Sequence, residues 1–210
     1  MACKRFSPCS TFKVPHALIG LDLGILRDGN TLFKWDGKPM YFPVWEKDHT
    51  LNSAMANSVV WYFQKLAKRI GPARMAEYLS KFDYGNQDIS GGQDRFWLMS
   101  SLKISPLEQI GFLKKLVQED LPVSQRAMDL TKQAVMQGKQ GEAKLYGKTG
   151  SGSVKGKFSQ GWFVGWVEPP GRALLFVTYI KAPQGASGGK AKALTLAKLK
   201  RLGLWRTPLK

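Results

Sequence analysis

Ser10-Thr11-Phe12-Lys13 places a hydroxyl three residues before an amine, at the mouth of a segment with helical spacing, so both groups lie on one face of a single turn. That is a nucleophile beside a base. A serine hydroxyl attacks poorly until its proton is taken, and a lysine takes that proton only when it is itself unprotonated. From a reference pKa near 10.4, the neutral amine at pH 7 costs about 4.6 kcal/mol, or roughly 3.4 units at about 1.36 kcal/mol each. Any fold that uses the pair must meet this cost. The same spacing also fits a plain helix start with an exposed lysine. Metal chemistry has less support: His16 and His49 lack paired ligands at suitable spacing. Cys3 and Cys9 form no disulfide framework, although an oxidising compartment would let them close a small loop. Cys9 sits one position off the register that faces Lys13 and reads as packing or a disulfide partner.

Further motifs follow in one order: Ser58-Val59-Val60, Tyr84-Gly85-Asn86, Phe96-Trp97-Leu98, Lys148-Thr149-Gly150 and Gly161-Trp162-Phe163-Val164-Gly165-Trp166. With Ser10-Thr11-Phe12-Lys13 this series, running from about Arg5 to Leu204, resembles the class D (oxacillinase-type) serine β-lactamases. It resembles nearly as closely the penicillin-sensing domains of β-lactam receptor proteins.

The resemblance implies a β-lactam as small-molecule partner and Ser10 as the residue acylated. It implies that Lys13 is carboxylated by CO2 or bicarbonate, with no other cofactor and no metal, so that an anionic carbamate replaces a cation as general base. Such chemistry needs a dry pocket, because burial lowers a lysine pKa by desolvation. Phe12, Val60, Phe96 and Trp97 are suitable walls, and the Trp97 indole, which donates and never accepts, would hold the carbamate. By the same resemblance Ser58 and Lys148 relay a proton to the leaving lactam nitrogen, and the backbone N–H groups of Ser10 and Ser151 form the oxyanion hole. Lys148 and Thr149 would bind the substrate carboxylate, with Lys190 favoured over Lys192 as a further anchor on the last helix. Gly150 would keep the strand edge open to substrate. Tyr84 and Asn86 close the cleft floor, with a weaker claim to substrate contact. Trp162 and Trp166 read as packing on alternate faces of one strand. The sensor alternative shares Ser10 acylation and lacks useful turnover; Val60, apolar where several sensors carry a polar residue, favours the enzyme.

With 210 residues, 43% of them hydrophobic, the chain can bury a proper core. Its net charge of +17, from 32 basic and 15 acidic residues, raises nucleic-acid binding as a rival. The charge is dispersed outside a tail from Lys190 to Lys210, and no nucleic-acid motif accompanies it, so a solvated basic face accounts for it. No apolar stretch of about 18 residues is present to span a membrane. Met1-Ala2-Cys3-Lys4-Arg5 runs into the nucleophile segment without the pattern of a signal peptide. Relatives of this kind are periplasmic or extracellular and carry a longer amino-terminal portion with strands of the central sheet, which is expected to be missing here. The oligomeric state stays open.

Periodicity supplies the elements. Val14, Ala17, Leu18, Leu21 and Ile25 give a helix from Val14 to Leu26, and Thr31 to Thr50 reads as a long packed loop. Helices are expected over Leu51–Ile70, with a break near Ser58, then Ala73–Lys81, Ser105–Glu119, Ser124–Gln137 and Lys190–Leu202. Lys144–Gly150, Gly161–Glu168 and Ala173–Ile180 read as antiparallel strands. The architecture expected is α+β, an antiparallel sheet flanked by helices with an inserted all-helical lobe. It forms one domain over 1–210, with a sheet lobe from 1–24 and 141–210 and a helical lobe from 25–140.

Overall fold

A computed structural model of the chain describes residues 2–206. A 3-10 turn over Cys9–Phe12 runs directly into helix α1, Lys13–Asp22, and every residue from Lys13 to Leu21 is buried. α1 ends four residues before the expected Leu26, because Gly24 turns left-handed (φ +69°) and folds Leu26 back to donate to the Gly20 carbonyl. α2 (Leu51–Ala56), α3 (Val60–Ile70), α4 (Pro72–Lys81), α5 (Pro106–Val117) and α6 (Gln125–Ala134) then build the helical part, and α1 packs on α3 and α6. Thr50 and Ser105 start α2 and α5 through reciprocal capping boxes, which satisfy backbone donors at both helix starts. The Glu108 carboxylate in the second of these also pairs with Arg5 and ties down the amino-terminal segment.

Four strands, β3 (Met136–Gln140), β4 (Ala143–Val154), β5 (Lys157–Glu168) and β6 (Leu174–Lys181), pair antiparallel in that order. Helix α7, Gly188–Arg201, packs on β4, β5 and β6. Two-residue strands β1 (Leu32–Phe33) and β2 (His49–Thr50) pair inside the segment read as a loop.

The expected bounds of the segments around the sheet need correction. The helix expected to reach Gln137 stops at Ala134, and Met136–Gln140 is instead an edge strand on β4. Its sequence, Met-Gln-Gly-Lys-Gln, has no apolar alternation; pairing with β4 creates the strand. β4 and β5 also extend well past their expected limits, to a tight turn in which Lys155 and Gly156 both have positive φ (49° and 74°), as a two-residue hairpin with right-handed strand twist requires. Glycines within these strands imitate loop composition. At Gly161 an added Cβ would collide with the backbone of Ser187 at the start of α7, so the residue marks close packing.

The principal apolar cluster runs from Phe12 and Leu18 through Phe63, Leu66 and Phe112 to Trp162, Val164 and Trp166. Trp162 and Trp166 thus share a face, correcting the alternate-face reading: residues four apart in a strand of period two point the same way. Trp162 donates to the Ser7 carbonyl (2.9 Å), while Trp166 stacks on Tyr146 at 4.6 Å.

Gly150 also departs from its expected role. A Cβ there would lie 2.8 Å from the Pro8 carbonyl oxygen and 3.1 Å from Thr11 Cγ2, so the approach it permits is that of the chain's own nucleophile turn. Gly150→Ala is expected to cost about 1–3 kcal/mol, as other overpacked sites do, which the thermal unfolding midpoint checks.

Candidate active site

Ser10 stands on a turn pinned from two sides. The Ser7 carbonyl accepts from Gln160 Nε2 and Trp162 Nε1, both at 2.9 Å, which fixes the segment on β5. On the other side Ser7 Oγ donates to the Trp97 carbonyl and accepts from the Met99 N–H, each at 2.9 Å, and the Cys9 N–H donates to Trp97 at 3.0 Å. Cys9 itself is held at φ +49°. Both cysteines are free thiols; Cys9 is buried with Sγ 3.2 Å from Gln160 Nε2, so packing is the reading that holds.

Lys13, the first residue of α1, is 0% exposed and donates from Nζ to Ser10 Oγ at 2.7 Å. Its amine faces the Phe63 ring, 5.4 Å from the centroid, and Phe12, Phe96 and Trp97 pack on one another next to it in the chain and in the core. Burial holds the Lys13 pKa well below the ordinary lysine value, and the charge of Lys148 pushes the same way. The fold therefore lowers the cost of a neutral amine.

Lys148, on β4, is buried too. Its Nζ donates to Ser58 Oγ at 3.0 Å and to the Thr149 carbonyl at 3.1 Å, with Thr149 Oγ1 at 3.4 Å. Burial first, and Lys192 second, bring its pKa down to about 7. Ser58 lies in the expected break, between α2 and α3, at φ +55°. This left-handed position just after a helix usually falls to glycine.

Ser10, Ser58, Val60, Thr149 and Ser151 line one cleft of about 500 Å³. The sequence had grouped these residues as one site, and the fold brings them together. Ser151 Oγ also accepts from the Gly188 N–H at 2.9 Å, which joins the start of α7 to this wall. A chain with a buried lysine on a serine lining the cleft, and a second lysine on a second serine of the same cleft, is equipped for acyl transfer.

Comparison with known proteins agrees. The penicillin binding protein transpeptidase domain family matches residues 1–200. The chain is 46% identical over 203 residues to the probable β-lactamase YbxI of Bacillus subtilis, covering 97% of this chain and 74% of that protein. The chain belongs to the class D β-lactamases. Among solved structures, the class D β-lactamase BAT-2 superposes with a TM-score of 0.93 at 45% identity, over 98% of this chain and 84% of that one. The C-terminal domain of the Bacillus licheniformis BlaR penicillin receptor also gives 0.93, at 35% identity, over 98% and 83%.

Within this class D site some expected residues stand elsewhere. Tyr84 is fully buried between Phe12 and Phe112, 5.4 and 5.1 Å between ring centres, and Asn86 clamps the Lys103 N–H and the Ser101 carbonyl at 2.7 and 3.0 Å. Neither lines the cleft, so both support its floor from behind. Lys190 is exposed in the first turn of α7, where its backbone N–H donates to the capping Ser187. Lys192 is half-buried and donates to Gln137 Oε1 at 2.6 Å, and it is the cation that acts on Lys148. His49 serves structure, bonded to Ser53 Oγ at 2.9 Å and the Val44 carbonyl at 3.0 Å.

Sequence reasoning missed the cleft's apolar rim. Tyr41, Phe42, Val44 and Trp45 come from the supposed packed loop, facing Leu98 and Phe158, and Tyr41 is 78% exposed. Four large apolar side chains in five residues, without helical or strand period, were the signal available. It missed His16 as well, one helical turn beyond Lys13.

Two outcomes follow from this geometry. Ser58→Gly relieves a left-handed strain of about 1 kcal/mol or more, so the thermal midpoint should rise while loss of the hydroxyl lowers kcat/KM about 100-fold. For Lys192, removing its charge lets Lys148 keep its proton to higher pH. Lys192→Gln should therefore move an alkaline limb near pH 7 upward, whereas Lys190→Ala should raise KM more than it lowers kcat and leave the limb in place. pH profiles of kcat/KM for the two variants read this directly.

Proposed function

We propose that this protein hydrolyses β-lactam antibiotics through an ester on Ser10, with Lys13 carboxylated by CO2 as general base, in a periplasmic or extracellular setting. The observation that carries the reading is the Lys13 amine, wholly buried and 2.7 Å from Ser10 Oγ, in a box whose Trp97 Nε1 has no hydrogen-bond partner among the described residues. An unpaired buried N–H costs about 1–3 kcal/mol. An anionic acceptor on Lys13 would answer it, and a dry, neutral amine is the form that adds CO2, so the residues fit the group. When present, the group supplies an anionic base where the amine alone would become a cation.

Ser10 Oγ gives up its proton to the base at Lys13 and forms a bond to the lactam carbonyl carbon. The backbone N–H groups of Ser10 and Ser151 receive the oxyanion, each such donor being worth about 3–4 kcal/mol. As the carbon–nitrogen bond breaks, Ser58, hydrogen-bonded to Lys148, passes a proton to the departing nitrogen and takes back the one that the base at Lys13 received from Ser10, so that the base is free again. Lys148 and Thr149, with Lys190 as outer anchor, hold the substrate carboxylate, where lysine offers a point charge rather than a bidentate fork. A water deprotonated at Lys13 then cleaves the ester and returns the proton to Ser10.

The likeness to the BlaR receptor domain supports a second reading, in which Ser10 is acylated and the adduct persists. Val60 on the cleft wall favours the enzyme, since an apolar side chain cannot compete for the base. Hydrolysis of a chromogenic cephalosporin should proceed through many turnovers, rise when bicarbonate is restored to a degassed sample, and collapse in Lys13→Ala and Trp97→Ala with a smaller effect on acylation. One stoichiometric burst, with an adduct stable for hours at any bicarbonate concentration, would establish the sensor instead.

A further inference from the structure

His16 is 0% exposed, and neither ring nitrogen has a hydrogen-bond partner among the described residues. Its ring lies 4.5 Å from that of Trp97, edge to face, 4.5 Å from Phe12 and 5.9 Å from Phe63. Phe63 is the ring that Lys13 Nζ faces at 5.4 Å, so lysine, histidine and the unpartnered indole share one aromatic box. Helical side chains point back over the preceding turn, which aims a residue three positions after Lys13 toward it. Burial and the Lys13 charge both hold the imidazole pKa well below its ordinary value, so the ring is neutral, with one donor and one acceptor nitrogen. A buried polar group without a partner is rare in native proteins, and two adjacent ones beside a reactive amine call for a common acceptor.

We infer that His16 is a positioning residue for the base: one ring N–H donates to the carboxylate that CO2 forms on Lys13, beside the Trp97 indole. The inference rests on the carboxylated-lysine reading above. Its step balances: the Lys13 nitrogen lone pair bonds to the carbon of CO2, a C=O electron pair moves to oxygen, and the displaced N–H proton leaves through Ser10 Oγ toward the cleft. Two neutral donors hold the resulting anion without adding charge to a pocket already facing Lys148. His16 does not itself take the Ser10 proton, because Lys13 lies between them in register and on Ser10 in space.

The test uses 13C-labelled bicarbonate with the full chain, its His16→Asn variant, which keeps a donor and an acceptor, and its His16→Leu variant, which keeps neither. Carbamate resonance intensity should reach half-saturation at similar bicarbonate in the first two and at about tenfold more in His16→Leu, the ratio for about 1.4 kcal/mol. Stoichiometric labelling of Ser10 by penicillin verifies that each variant is folded. In the unsubstituted chain, 15N-labelled His16 should show one ring nitrogen shifting as bicarbonate is added, a readout independent of how any variant folds. Equal half-saturation in His16→Leu, or an unmoved His16 ring, overturns the inference and leaves the Lys13 base standing. Absence of any carbamate signal in the unsubstituted chain at saturating bicarbonate overturns both.

Discussion

Removal of the Lys13 amine from water is the constraint on which the remaining structure depends. A lysine at the start of a helix ordinarily turns its charge to solvent, and desolvating an ammonium costs several kcal/mol even after relaxation. Here the amine is held inside because α1 is buried on every side by α3, α6 and the aromatic residues of the 96–97 segment. The energy comes from burial of Phe12, Phe63, Phe96 and Trp97, each of which removes a large apolar area from water. The same walls that stabilise the fold hold the lysine pKa well below its ordinary value. A chemical property of one nitrogen is in this way distributed over four elements far apart in sequence.

A second buried amine makes the arrangement tighter. Lys148 lowers Lys13, and Lys192 lowers Lys148, so the three amines act on one another in series. Among the described residues no Asp or Glu lines that cleft. Elsewhere in the molecule such cations find carboxylates, as Lys68 does with Asp94 and Lys132 with Glu119. Lys13, Lys148 and Lys192 have no carboxylate partner among the described residues, and a net charge of +17 adds a positive field that attracts anions. An anionic substrate with its carboxylate at Lys148 would complete the charge balance that the folded chain leaves open.

Three of the seven non-glycine residues with positive φ among the described residues belong to the segments of the site. Cys9, Ser58 and Met99, none of them glycine, adopt left-handed φ of 49°, 55° and 54°. Cys9 precedes the nucleophile, Ser58 accepts from Lys148, and Met99 donates to the serine that anchors the nucleophile turn. Each such residue costs about 1–3 kcal/mol and persists only where its surroundings over-determine it. The pinning of the turn by Gln160, Trp162 and Trp97 supplies that over-determination.

What could be read from sequence was local chemistry and local period. The Ser10–Lys13 spacing, Ser58 at a helix break, Lys148-Thr149-Gly150 on a strand and the apolar face of α1 all depend on residues within a few positions of each other, and the family's order of motifs supplied their grouping. Tertiary structure alone decided the rest. Met136–Gln140 becomes a strand only because β4 offers it a ladder, and glycine-rich stretches of β4 and β5 are strands because the nucleophile turn and α7 press against them. Tyr84 and Asn86 share the motif series yet lie behind the cleft, whereas Tyr41, Phe42, Val44 and Trp45, without a motif, form its rim. Whether Lys190 or Lys192 is felt by Lys148 turns on the rotation of α7 over the sheet. His16 is a commonplace helical residue in one dimension and a buried polar group without a partner among the described residues in three, because burial and hydrogen-bond satisfaction are properties of contacts between distant segments, and periodicity does not encode them.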